Sequence, residues 1–145
     1  MINFLVQVIA ACLASIFFAV LYNAPKRILI ICGISGGIGW GVYLYFLNLT
    51  NSNAVASFFA ALSVNILAEI FARIFKAPVP LFLIPGIIPF VPGAGTYNTM
   101  TALIKNQTQK AIEIGTQTLL IAGSIAVALM FVSSFNKISI KKRKA

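Results

Sequence analysis

The chain has no histidine and no aspartate, and its only acids are Glu69 and Glu113. Metal and haem sites therefore lack their usual ligands, and no cofactor is expected. Serines and threonines are scattered with no base beside them, so the nucleophile–base pair of an enzyme has no members. Charge itself is scarce. Nine per cent of the 145 residues are charged, where a soluble domain carries roughly a quarter. So few polar groups cannot cover a water-soluble globule. Cysteine is limited to Cys12 and Cys32, both inside apolar runs and without metal-ligand spacing. Buried thiols of this kind behave as small hydrophobes and carry no information about redox compartment.

What the chain does have is apolar length. Sixty per cent of its residues are hydrophobic, which fits lipid as the solvent. A spanning helix needs about 20 apolar residues, so the chain has room for five helices once loops are subtracted. The net charge of +9 does not point to nucleic acid. The basic residues sit in short clusters between apolar runs and at the C-terminus, as in a membrane protein with a defined topology.

The runs predict helices over about 2–22, 28–47, 54–75 and 112–135, within a membrane domain spanning 1–136. Asn23-Ala24-Pro25-Lys26-Arg27 ends the first, and the uncharged Asn48-Leu49-Thr50-Asn51-Ser52-Asn53 ends the second. Between the third and last lies 79–104, apolar but carrying Pro80, Pro85, Pro89 and Pro92. Each proline removes a backbone donor and clashes with the preceding turn. This stretch therefore reads as a fourth helix broken in the middle. The expected fold is an all-α integral membrane protein of about five transmembrane helices.

If 79–104 crosses the membrane, Lys26, Arg27, Arg73, Lys76, Lys137, Lys141, Lys142, Arg143 and Lys144 share one side, against Lys105 and Lys110 on the other. The positive-inside rule makes the first side cytoplasmic. The N-terminus is then outside, and 137–145 is a basic cytoplasmic tail. A re-entrant 79–104 gives four crossings and divides the charges.

Three constellations stand out. Gly33, Gly37 and Gly41 recur every four residues and share one helix face, where another helix can approach closely. Ser57, Ala61, Asn65 and Glu69 form a second small-and-polar face on the third helix. Polar groups at that depth are costly and face a bundle interior or a water path. Glu69 has two readings: a proton or ammonium site, or a partner for Arg73 one turn on. Glu113, near the start of the last helix, reads as a complement to the helix dipole.

The strongest functional pointer is Pro85-Gly86-Ile87-Ile88-Pro89-Phe90-Val91-Pro92-Gly93-Ala94-Gly95-Thr96-Tyr97-Asn98. Unwound backbone at membrane depth is tolerated where protein buries it or a wet cavity hydrates it. Transporters bind ions and substrates at such breaks. Pro85, Gly86, Pro89, Pro92, Gly93, Thr96, Tyr97 and Asn98 are the foremost candidates for a substrate path, with Asn65 and Glu69 behind them. The competing reading is a kinked packing helix.

The order of these features resembles the small subunit of the threonine/serine exporter family. The resemblance rests on Asn23-Ala24-Pro25, the glycine-rich helix ending Gly39-Trp40-Gly41, the alanine-rich helix from Ala56 to Lys76 followed by Ala77-Pro78, and Pro85-Gly86-Ile87-Ile88-Pro89-Phe90-Val91-Pro92-Gly93 with Tyr97. It covers most of residues 1–135, with Phe90 where leucine is more usual. The resemblance implies one half of a two-part exporter in a bacterial inner membrane. The partner is a large subunit, a separate membrane protein in some organisms and fused in others. It also implies export of threonine and serine, in some members of dicarboxylates such as succinate, driven by the proton gradient. A membrane scaffold that stabilises a partner without transporting, and a homo-oligomeric pore, are the alternatives.

Overall fold

The computed structural model describes the backbone of residues 2–142 and the side chains of residues 3–132. The helices are α1 (Ile2–Leu21), α2 (Leu29–Thr50), α3 (Asn53–Phe75), α4 (Pro80–Ile87), α5 (Gly93–Ile104) and α6 (Thr108–Lys142). Single 3-10 turns occupy Lys26–Ile28 and Ile88–Phe90. The anticipated tail, 137–145, lies outside the residues whose side chains are described, and 143–145 lie outside the described residues altogether.

Four helical stretches, in α1, α2, α3 and Thr108–Val132 of α6, are long and apolar enough to cross a membrane. The pair Pro80–Phe90 and Gly93–Ile104, bent by 51°, passes the same test together. The chain is an all-α, multi-pass membrane protein with four to five candidate spans, one of them broken.

The helix ends follow from local chemistry. Asn23, Asn51, Lys76 and Asn106 take left-handed φ values of 50–56°, a conformation that asparagine tolerates because its side chain bonds locally. The next amide then turns back onto the helix: Ala24 N–H to Ala19 O at 3.0 Å, Ala77 to Ala72 O at 3.1 Å, and Gln107 to Ala102 O at 2.9 Å. These bonds satisfy carbonyls that the helix end would leave orphaned.

Two boundaries differ from the sequence expectation. Asn48 to Thr50 belong to the last turn of α2, where Thr50 Oγ1 donates to Phe46 O at 2.8 Å. Only Asn51 and Ser52 then separate α2 from α3, and Ser52 Oγ accepts from Val55 N–H at 3.5 Å as the α3 cap. The second difference is that α6 begins at Thr108, so Glu113 lies beyond the first turn, which holds no acid. The dipole effect fades past that turn, so Glu113 is not the complement expected.

The core forms two layers. Ala19, Ala24, Ile28, Cys32, Ala68, Ala72 and Phe82 cluster at one end. The α1–α2 and α3–α4 connections, with Lys26, Arg27, Arg73 and Lys76, therefore meet there. Ala60, Ala61, Val64, Phe90, Ile125 and Ala128 form the second layer. Alanine dominates both, as expected where lipid gives no hydrophobic drive and close approach supplies the contact energy.

Within this frame α4 packs against α1, α2 and α3, whereas α5 packs against α6. Asn65 Nδ2 donates to Leu129 O at 3.0 Å, linking residues 64 positions apart. Asn53 and Gln117, also 64 apart (117 − 53), line the same cavity. So α3 and α6 run parallel and in register, and the chain must return across the bundle between them. α4 and α5 make that return.

Candidate functional site

The glycines of α2 divide by partner. A Cβ on Gly33 would lie 2.6 Å from Ile16 Cγ1, while one on Gly36 or Gly37 would strike Ser15 or Cys12 of α1. Gly41 meets only Phe4 Cζ at 3.9 Å, an ordinary contact. Gly39 faces the other way: its Cβ would sit 2.5 Å from Val64 Cγ2 and 3.1 Å from Phe90 Cε1. A Cβ on Gly86 of α4 would lie 2.6 Å from Val64 Cγ1 and 3.0 Å from Ser35 Oγ. Val64 of α3 thus fits between two glycines, and α4 lies against the α2–α3 pair.

That seating fixes the break. Pro85 has no N–H, and its ring disrupts the preceding turn. The chain tightens to a 3-10 turn at Ile88–Phe90, turns extended at Val91 and restarts at Gly93. Around the break four elements line an open cavity of about 270 Å³. Trp40 and Tyr43 come from α2, Asn53 and Ser57 from α3, Pro89 to Pro92 and Gly95 from the break, and Ile114, Gln117, Thr118 and Ile121 from α6. The Tyr43 hydroxyl donates to Asn53 Oδ1 at 3.0 Å, and the Tyr43 ring stacks on Trp40 at 4.9 Å.

Polar groups in this cavity are incompletely satisfied. Ser57 is 1% exposed, and its Oγ has no hydrogen-bond partner. The buried Trp40 Nε1–H has none either. By contrast Thr118 of the lining, and Thr50, Ser63, Thr96, Thr99, Thr101, Thr116 and Ser124 elsewhere, all donate back to a carbonyl of their own helix or its cap. Buried polar groups are normally paired. Ser15 and Ser35 are also unpartnered, but each fills the notch of a facing glycine, Gly36 and Gly86. Ser57 alone of the three borders the cavity.

The anticipated path residues do not stay together. Pro89 and Pro92 line the cavity. Pro85 and Gly86 are buried in the α4 packing, and Gly93 begins α5 with open space around it. Thr96, Tyr97 and Asn98 are exposed: Tyr97 is 72% accessible, and Asn98 lines a different opening with Lys105 and Lys110. Asn65 is 1% exposed and holds α3 to α6. Glu69 lies 4.0 Å from Arg73. It is 12 residues from Ser57, about 18 Å along α3 at 1.5 Å per residue, so the two do not share one site.

Sequence reasoning passed over Trp40, Tyr43, Asn53, Gln117 and Thr118. The lone tryptophan at membrane depth was the one available signal, since its N–H needs an acceptor when buried. The others are ordinary polar residues and gain meaning only by convergence.

A helix broken beside a cavity that holds unpartnered polar groups, within a multi-pass helical bundle, is a feature that membrane transporters share. The chain belongs to the threonine/serine exporter family: the model described as "Threonine/Serine exporter, ThrE" matches residues 7–135. An uncharacterized protein of Haemophilus influenzae is 25% identical over 105 residues, 72% of this chain and 35% of the relative. The chain therefore spans about a third of the length of that curated relative. No solved structure matches.

Proposed function

We propose that the chain is the small subunit of a two-part secondary exporter of small polar metabolites, foremost threonine and serine. A large membrane subunit of the same family completes it. The cavity at the α4–α5 break carries this reading, because a buried hydroxyl with no partner stands there beside unwound backbone. At about 270 Å³ it is smaller than the roughly 300–1,000 Å³ that drug-sized ligands occupy, in keeping with a small metabolite. The relative's length, of which this chain covers 35%, leaves room for a second half on one polypeptide and supports a partner here.

In this reading the bundle sits in a bacterial inner membrane with the Lys26, Arg27, Arg73 and Lys76 end in the cytoplasm, as the positive-inside rule favours. The N-terminus is then outside, and the 137–145 tail is cytoplasmic. The cavity lies toward the outer face, near the α2–α3 turn. The proton gradient drives export, and Glu69 is the acid available for coupling. Succinate and related dicarboxylates are the second substrate class.

Efflux of preloaded labelled threonine and labelled succinate tests the proposal, in cells expressing the chain with and without the large subunit. Efflux of either solute only when both halves are present is the expected result. No efflux of either, with both proteins in the membrane, would overturn transport in favour of a scaffold. Conduction by the chain reconstituted alone would replace the two-part exporter with a homo-oligomeric pore.

A further inference from the structure

We infer that the cavity at the helix break is a carboxylate site, in which the first-turn amides of α5 and the Ser57 hydroxyl hold the anion. The inference rests on the reading of this cavity as the substrate site and names what that site recognises.

The start of α5 leaves backbone donors without acceptors. Ile88 O accepts from Val91 N–H at 3.4 Å, Val91 O from Gly93 N–H at 2.8 Å, and Pro92 O from Thr96 N–H at 3.2 Å, while Pro89 O and Phe90 O accept no backbone hydrogen bond among the described residues. The amides of Ala94 and Gly95 have no backbone acceptor among the described residues. They are two of the four N–H groups that a helix start leaves without an intrahelical partner. Gly95 lines the cavity, with the Thr118 side chain of α6 against its Cα.

Ser57, opposite on α3, supplies the independent observation. It is 1% exposed, borders the cavity and makes no hydrogen bond, although a serine in a helix can donate to a carbonyl one turn back. Asn53 adds an amide donor, since its Oδ1 already accepts from Tyr43. No lining residue carries a charge. A cation would find no carboxylate here. An anion finds free donors and the positive end of a 12-residue helix, the arrangement that favours negative charge. Threonine, serine and succinate share the carboxylate, so one site accommodates both proposed substrate classes.

Trp40 is the only tryptophan in the chain and lines the cavity, so its emission reports occupancy. The purified full chain in lipid nanodiscs is titrated with L-threonine, succinate and L-threoninamide. Threonine and succinate should change the emission saturably, and threoninamide at the same concentrations should not. Ser57→Ala should weaken threonine binding about tenfold, the effect of one hydrogen bond to a charged group. Ala94→Pro should do the same, because proline is tolerated in a first helical turn and removes only that N–H; circular dichroism should show unchanged helix content for both. Equal binding of threoninamide, unchanged affinity in both variants, or no response to any ligand would each overturn the carboxylate site. Efflux by the two-subunit system is measured in parallel. Normal efflux without a Trp40 response refutes the site alone, whereas loss of both refutes the transport reading too.

Discussion

The two halves of the broken helix have opposite surroundings. α4 buries Phe82, Pro85 and Gly86 among α1, α2 and α3. α5, half again as long, buries only Ala102 among its residues and rests on α6. One half is core. The other exposes Tyr97, Met100, Leu103 and Ile104, and only its first turn reaches the cavity. Proline content alone would have treated 79–104 as one functional unit. The contrast assigns rigidity to α4, donor chemistry to the start of α5, and a lipid- or partner-facing surface to the remainder.

The largest expected effect comes from erasing the boundary between the halves. Pro85→Ala, Pro89→Ala and Pro92→Ala together should let a regular helix form and lower threonine efflux severely. Wild-type efflux from that triple variant would remove the break from the mechanism. Next comes the packing contrast. Gly86→Ala drives a methyl into Val64 and should cost about 1–3 kcal/mol, seen as a lower unfolding midpoint in detergent. Gly93→Ala meets nothing within 4 Å and should stay within about 0.5 kcal/mol of wild type. Equal losses at the two glycines would mean that the halves are not packed differently.

Loss of the α3–α6 lock is smaller. Asn65→Ala removes the bond to Leu129 O and should destabilise by about 0.6–1.7 kcal/mol, the range for side-chain bonds between membrane helices. An unaltered midpoint would show that the parallel pair holds by packing alone. The smallest change is expected at Glu69. Its contact with Arg73 is 4.0 Å long and the Arg73 side chain is 65% exposed, so Glu69→Gln should shift stability by less than about 0.5 kcal/mol. The same variant tests coupling: efflux that stays equally sensitive to the proton gradient would take Glu69 out of the proton path.

Some of this was legible in residues 1–145 and some was not, for physical reasons. The break was visible at Pro85, Pro89 and Pro92 because a missing N–H and a fixed φ act locally, whatever surrounds them. Gly33 and Gly37 were found by spacing, since a four-residue repeat marks one face of any helix. Gly39 and Gly86 belong to no such repeat. Their importance comes from Val64, which stands between them from a third helix. Asn65 and Ser57 share a face in sequence yet differ in role: one meets a carbonyl of α6, the other an open cavity. Thr96, Tyr97 and Asn98 follow the break directly, but the helical turn carries them outward.

The sequence by itself determined the solvent, the number of apolar segments, the broken helix and the clustering of positive charge. These depend on composition, on periodicity and on proline geometry, all local properties. Tertiary structure alone decided that α3 and α6 run parallel, that α4 is core while α5 is surface, and that Trp40, Asn53, Ser57 and Gln117 meet the break. Such convergence depends on how close helices approach, and that is set by pairs such as Gly39 with Val64 and Gly86 with Val64, whose members lie far apart along the chain.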